Sequence, residues 1–186
     1  MSRWLSALLA LTCLVGMGSG AAHADQNDPR LNDLFAQLKS ATGYLKARTI
    51  EQQIWQIWLQ SDNTEVTQLM GNGVEAMNSE DYKTAIADFT KITQLAPAFA
   101  EGWNKRATVL YMVGDYQGSL ADVDKTLKLE PRHFGALSGL GLIDAALERD
   151  EEAIAAFERA LAVNPNMPGV IDNIDQLKQR LKDKQI

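Results

Sequence analysis

The sequence predicts an all-α chain, a short α-solenoid of three helical hairpins with a C-terminal capping helix and an N-terminal helical pair. Two observations carry this reading. Pro97, Pro131 and Pro165 are equally spaced, and the residue types upstream of each recur at the same interval. No segment alternates as a strand would; apolar residues return at helical spacing instead. A unit of this length cannot bury its own apolar face, so it stacks on copies of itself and leaves a long groove exposed.

Residues 1–24 read as a separate object. Arg3 precedes an apolar run from Trp4 to Val15, followed by Gly16, Gly18, Ser19 and Gly20 and then by Ala22-His23-Ala24 before Asp25. This is the order of a secretory signal peptide cleaved after Ala24. The run is well short of the ~20 residues that span a bilayer, which argues against a membrane anchor. Cys13 lies inside the run behind Leu11-Thr12, which argues against lipidation. Cleavage removes Cys13, leaves His133 as the one histidine, and makes the chain one unit more negative than its formal −6. The expectation is a periplasmic protein stabilised by packing and not by disulfides.

Residues 25–63 hold a helical pair. Leu31, Leu34, Phe35 and Leu38 give a short amphipathic helix, Gly43 interrupts, and Ile50, Ile54, Ile57 and Trp58 give a longer one that ends before Ser61-Asp62-Asn63. The pair reads as a degenerate repeat or cap. Trp55 and Trp58 fit two arrangements, core anchors on the first repeat or an exposed docking patch.

Residues 64–186 carry the repeats, 66–99, 100–133 and 134–167. Leu69, Trp103 and Leu137 coincide in register, as do Gly73, Ala107 and Gly141, then Ala85, Ser119 and Ala153, then Phe89, Val123 and Phe157. Small residues let paired helices approach while the larger ones fill the space between them. Gly114-Asp115-Tyr116 and Glu80-Asp81-Tyr82 supply a break and a cap between the helices of a unit. Glu148-Arg149-Asp150 lacks the glycine and the aromatic, so a looser or differently closed turn is expected there. In the capping helix, 168–184, Val170, Ile171, Ile174, Leu177 and Leu181 form one apolar stripe, and the cations from Lys178 to Lys184 read as favourable charges at a helix C terminus.

Trp103, Ala107, Gly114-Asp115-Tyr116, Leu127 and Pro131 together resemble the tetratricopeptide repeat, over residues 66–167. The resemblance implies that the first helix of each unit lines a concave groove that meets a peptide or a partner helix. Carried over by residue, the lining is Met70, Val74 and Met77, then Asn104, Thr108, Tyr111 and Met112, then Ser138, Leu142 and Ala145. The carboxylate clamp of chaperone-binding members is missing, because Met70 and Val74, Gly135 and Gly139 stand at places that clamp residues would occupy. Lys105 and Arg106 read either as surface charges or as a recognition pair.

No chemistry of an enzyme, metal centre or cofactor site is legible. Without Cys13 there is no thiol, and His133, in the junction after Pro131, reads as an exposed loop residue touching the next helix. Gly135, Gly139 and Gly141 lie within a helix, where they mark close helix contact or a thinly covered groove floor and not a phosphate cradle. With 18 basic against 24 acidic residues, the chain is ill suited to nucleic acid. The function expected is a non-enzymatic periplasmic adaptor in envelope integrity or assembly, with a protein or peptide partner and no stable membrane insertion. The competing expectation is a self-assembling envelope protein that associates through Trp55, Trp58 and the end faces.

Overall fold

The computed structural model describes residues 25–184, so segment 1–24, read above as a signal peptide, lies outside the described residues. Within that span the helices are α1 (Arg30–Ser40), α2 (Tyr44–Trp58), α3 (Thr64–Asn78), α4 (Tyr82–Leu95), α5 (Ala100–Met112), α6 (Tyr116–Leu129), α7 (Phe134–Ala146), α8 (Asp150–Val163) and α9 (Pro168–Asp183). Helices α3–α4, α5–α6 and α7–α8 are hairpins, and each packs on the next through α4–α5, α6–α7 and α8–α9. This is the all-α solenoid that the proline interval requires. Among the described residues, no helix is long and apolar enough to cross a membrane.

The recurring small residues work by admitting an aromatic ring. A Cβ on Gly73 would stand 2.6 Å from the Phe89 ring, and one on Gly141 would stand 2.6 Å from Phe157. In the middle unit Ala107 and Val123 take these places, and Ser119 donates to the Ala107 carbonyl at 2.7 Å. That bond satisfies a hydroxyl that would otherwise be buried without a partner. Arg106, read above as a surface charge or half of a recognition pair, is instead a cross-link. Its guanidinium holds both Asp122 oxygens at 2.7 Å and donates to the hydroxyls of Thr90 and Thr93, tying α5 to α4 and α6.

All three intra-unit turns close the same way. The backbone N–H groups of Asp81, Asp115 and Arg149 return to the carbonyls of Ala76, Leu110 and Asp144 at 2.9 Å, behind a residue with positive φ, namely Glu80, Gly114 or Glu148. The looser third turn expected from Glu148-Arg149-Asp150 is therefore corrected. Glu148 accepts the left-handed conformation that glycine adopts in the middle unit. Asp81 and Asp115 cap the following helices, whereas Arg149 provides no side-chain cap. Asp150 faces α9, where Arg180 holds both of its oxygens and Lys184 donates at 2.9 Å. These cations thus clamp a buried carboxylate as well as sitting at a helix end. Val170, Ile174 and Leu177 bury the capping face against Ala153 and Phe157, but Ile171 is off the stripe, 44% exposed.

The N-terminal pair departs most from expectation. It does not stack on the first repeat as a further unit; it lies across the edge formed by the three proline-bearing segments that follow α4, α6 and α8. Gln26 bonds the Ala98 carbonyl and the Ala100 N–H, Arg132 bonds Asn32, and Val163 and Met167 pack in the same apolar cluster as Leu31, Ile50 and Trp58. The physical reason is complementary surface: the aromatic residues of α2 find their partners at Phe134 and its neighbours, in the third unit.

Two glycines a half-turn apart test the packing. Gly73→Ala must displace the Phe89 ring and is expected to destabilise by about 1–3 kcal/mol. Gly71→Ala, where a Cβ meets nothing within 4 Å, should stabilise by up to about 1 kcal/mol through helix propensity. Urea unfolding of both variants checks the opposite signs.

Candidate functional site

His133 joins the N-terminal pair to the solenoid. It is fully buried, which corrects the reading of an exposed loop residue. Its Nδ1 accepts the Ala136 N–H at 3.0 Å and so caps α7. The ring proton therefore sits on Nε2, which donates to Glu101 Oε2 at 2.9 Å. Above this ring Trp58 is stacked at 4.1 Å and 8°, and Trp55 meets His133 and Phe134 edge-on, each at 5.4 Å. Arg132 lies over Phe35 at 4.3 Å and bonds Glu130 with its Nε and Nη2 at 2.9 Å. Both tryptophans are thus interior or edge packing, but against the second and third repeats and not the first.

Glu101 is a buried carboxylate, 1% exposed, with a satisfied oxygen and an ion-paired one. Oε2 accepts from His133 and from Asn104 Nδ2 at 3.1 Å, and Lys105 Nζ stands 3.1 Å from Oε1 at an angle short of a hydrogen bond. Burial pushes its pKa up, but the Lys105 charge and the His133 N–H prevail and hold it below the ordinary glutamate value. Lys105 also lies 5.5 Å from the Trp55 ring, so it is neither a free surface charge nor a free recognition group. The carboxylate–imidazole pair has the outline of a catalytic dyad, yet both groups are sealed in the core with Nδ1 held by the backbone. It holds structure.

Beside this node lies a cavity of about 240 Å³ between α2 and the concave sides of α5 and α7. Of the residues expected in the groove, Asn104, Thr108, Tyr111, Ser138 and Leu142 line it together. The others lie elsewhere. Met70 is buried in the core of the first hairpin, where Val74 and Met77 also pack, so the first unit contributes no wall. Met112 is half exposed and outside the cavity. Ala145 lines a neighbouring cavity of about 290 Å³ toward α9, which shares Leu142 with the first.

Sequence reasoning missed Glu51, Trp55, Phe134 and Met167 as walls. Only the paired tryptophans signalled α2, and their periodicity cannot say which surface they meet. The two readings of the glycines divide by residue. Gly135 is a close contact, since a Cβ there would stand 2.7 Å from Trp55, and Gly139 is open floor with nothing within 4 Å.

Removal of the His133 ring leaves a buried carboxylate short of a donor, so His133→Ala is expected to destabilise by about 3–5 kcal/mol. Acid sensitivity follows with a definite sign. Glu101 and Asp150 both have folded pKa values below their ordinary ones; for Asp150, burial is outweighed by Lys184 and Arg180. Their contribution is complete above the ordinary carboxylate range and is lost as pH falls through the lowered folded values. Thermal melts from pH 7 to pH 3 should show falling Tm, with a shallower fall in Glu101→Gln and in Asp150→Asn.

A tetratricopeptide repeat family profile matches residues 104–168. A TPR repeat-containing protein of Rhizobium etli is 33% identical over 152 residues, which cover 82% of this chain and 74% of that protein. A match of that length necessarily contains α2. Tetratricopeptide repeat protein 36 of Xenopus tropicalis is 37% identical over 93 residues, but the chain spans only 46% of its length. Among solved structures, the first TPR domain of Spaghetti, bound to an HSP90 peptide, superposes with a TM-score of 0.63 at 23% identity, covering 65% of this chain and 96% of that one. MamA superposes with a TM-score of 0.61 at 17% identity over 84% of each chain, more than α3–α9 alone can supply. With three tandem hairpins, the ring-into-glycine packing of the first and third, and these relatives, the chain belongs to the tetratricopeptide repeat family.

Proposed function

We propose that this chain is a non-enzymatic protein-interaction adaptor that holds a peptide or a segment of a partner protein over α5 and α7. The observation that carries the reading is the apolar cavity between α2 and the concave face, where five of the expected groove residues converge. Structural neighbours support it: the Spaghetti domain was solved with an HSP90 peptide, and the TPR2B domain of yeast Sti1 in complex with pHsp70. Acidic tails such as the SRMEEVD peptide bound to the Spaghetti domain are poor candidates for this groove. Clamp positions hold Met70, Val74, Gly135 and Gly139, and of these Met70 is in the core and Gly135 is covered by Trp55.

Export to the periplasm, with a role in envelope integrity or assembly, is part of the same proposal and is supported by the residue order of segment 1–24. Self-assembly through Trp55 and Trp58 has less support, because both rings are engaged with His133 and Phe134 inside one molecule.

An array of overlapping peptides from envelope proteins, probed with the purified chain, tests the adaptor reading. Capture of discrete peptides is expected, weakened about tenfold, or ~1.4 kcal/mol, by Tyr111→Ala or Leu142→Ala and unchanged by Met112→Ala. An array with no captured peptide, or one on which all variants behave alike, would count against it. Fractionation of cells that express the tagged chain tests export, and retention in the cytoplasm would refute that part.

A further inference from the structure

Most glycines of the solenoid have a local reason. Gly73 and Gly141 admit rings, Gly135 admits Trp55, Gly102 lies against Ile92, and Gly114 has positive φ. Gly71 in α3 and Gly139 in α7 have none, with nothing within 4 Å of the place a Cβ would take, and of the two only Gly139 stands in the wall of the 240 Å³ cavity. Glycine inside a helix costs about 0.5–1 kcal/mol relative to alanine, and one use of that cost is close approach by a ligand.

A second observation points to the ligand's backbone. Asn104 is only 7% exposed and lines the same cavity. Its Nδ2 must face the Glu101 carboxylate, and Oδ1 has no hydrogen-bond partner among the described residues. An acceptor pinned in this way matches a peptide N–H.

Charge and size narrow the side chain. No cation stands in the wall of this cavity: Lys105 is held by Glu101, Arg149 by Asp144, and Arg180 and Lys184 by Asp150, while the exposed Arg48 lines the adjoining depression that shares Glu51, Ser138 and Met167. Glu51 stands in the cavity wall with, among the described residues, only a long 3.5 Å contact to Asn164, which disfavours an acidic side chain. The other walls include Trp55, Leu142 and Met167. A cavity of about 150 Å³ suffices to hold benzene, so 240 Å³ accommodates one aromatic ring.

We propose that the groove recognises an uncharged, extended peptide segment by one bulky aromatic side chain inserted over Gly139 between Trp55 and Leu142, with a peptide N–H donated to Asn104 Oδ1. This specificity rests on the adaptor reading above. Leu142 extends it toward the second cavity, where Asn173 and Gln176 offer amides to the continuing backbone.

The probe is N-acetyl-phenylalaninamide, titrated into the ¹⁵N-labelled chain beside N-acetyl-glutamic acid amide. The expected result is millimolar binding of the aromatic probe, with shifts at the Gly139 and Leu142 amides and the Trp55 indole and NOEs from the probe ring to Gly139 Hα. The acidic probe should bind at least about tenfold more weakly. Gly139→Leu fills the floor and should abolish binding while circular dichroism stays helical; if that variant does not fold, the NOEs in the wild type decide. Absence of those NOEs, equal binding of both probes, or undiminished binding by a folded Gly139→Leu overturns the proposal. Array capture without probe binding at Gly139 overturns this specificity and leaves the adaptor reading standing, whereas probe binding without any array capture overturns the adaptor reading.

Discussion

The contact among His133, Glu101 and Trp58 is the constraint on which the rest of the arrangement depends. One imidazole caps α7 with Nδ1, supplies a donor to a buried carboxylate with Nε2, and presents its face to Trp58 of α2. A neutral ring in this tautomer satisfies all three demands at once, and no other side chain has an acceptor, a donor and a flat apolar face in that geometry. The junction between the second and third repeats is thereby held in register with the N-terminal pair. Trp55 follows from the position of Trp58, and the cavity follows from Trp55.

Stability and recognition are divided between different parts of each hairpin. The ring-into-glycine contacts at Gly73 and Gly141 close the faces between paired helices, and Arg106 and Asp150 gather charges that would otherwise be unpaired in the interior. These interior ion pairs also affect the surface. Lys105, Arg106, Arg180 and Lys184 are drawn to internal carboxylates, and the cavity over α5 and α7 has no cation in its wall, although Arg48 stands in the adjoining depression. A protein that used those same cations on an acidic tail would have to leave Glu101 or Asp150 buried without a counter-charge. The internal electrostatics and the cation-free cavity wall are one design.

Part of the site was legible because it follows from helical phase. Asn104, Thr108, Tyr111, Ser138 and Leu142 share the groove-facing side of α5 and α7, and phase alone brings them to one cavity. The same rule misplaced Met70, because at the open end of the repeat array an apolar side chain is better buried in its own hairpin than left in water. His133 was misread for a related reason. A polar residue in a junction beside proline has the composition of a loop, and only the arrival of α2, which brings Trp58 from far earlier in the chain, makes it interior.

The interval between prolines by itself determined the helix pairs, their order and the small-against-large columns, since these depend on local propensity and on contacts that recur with each repeat. Where residues 25–63 dock was decided only by the tertiary structure. That segment lies outside the period, so no repeat relates it to a partner, and its aromatic residues choose their surface by shape and desolvation. The surface they chose made a wall of Trp55 and a buried cap of His133, and turned an open concave face into a walled, partly open cavity.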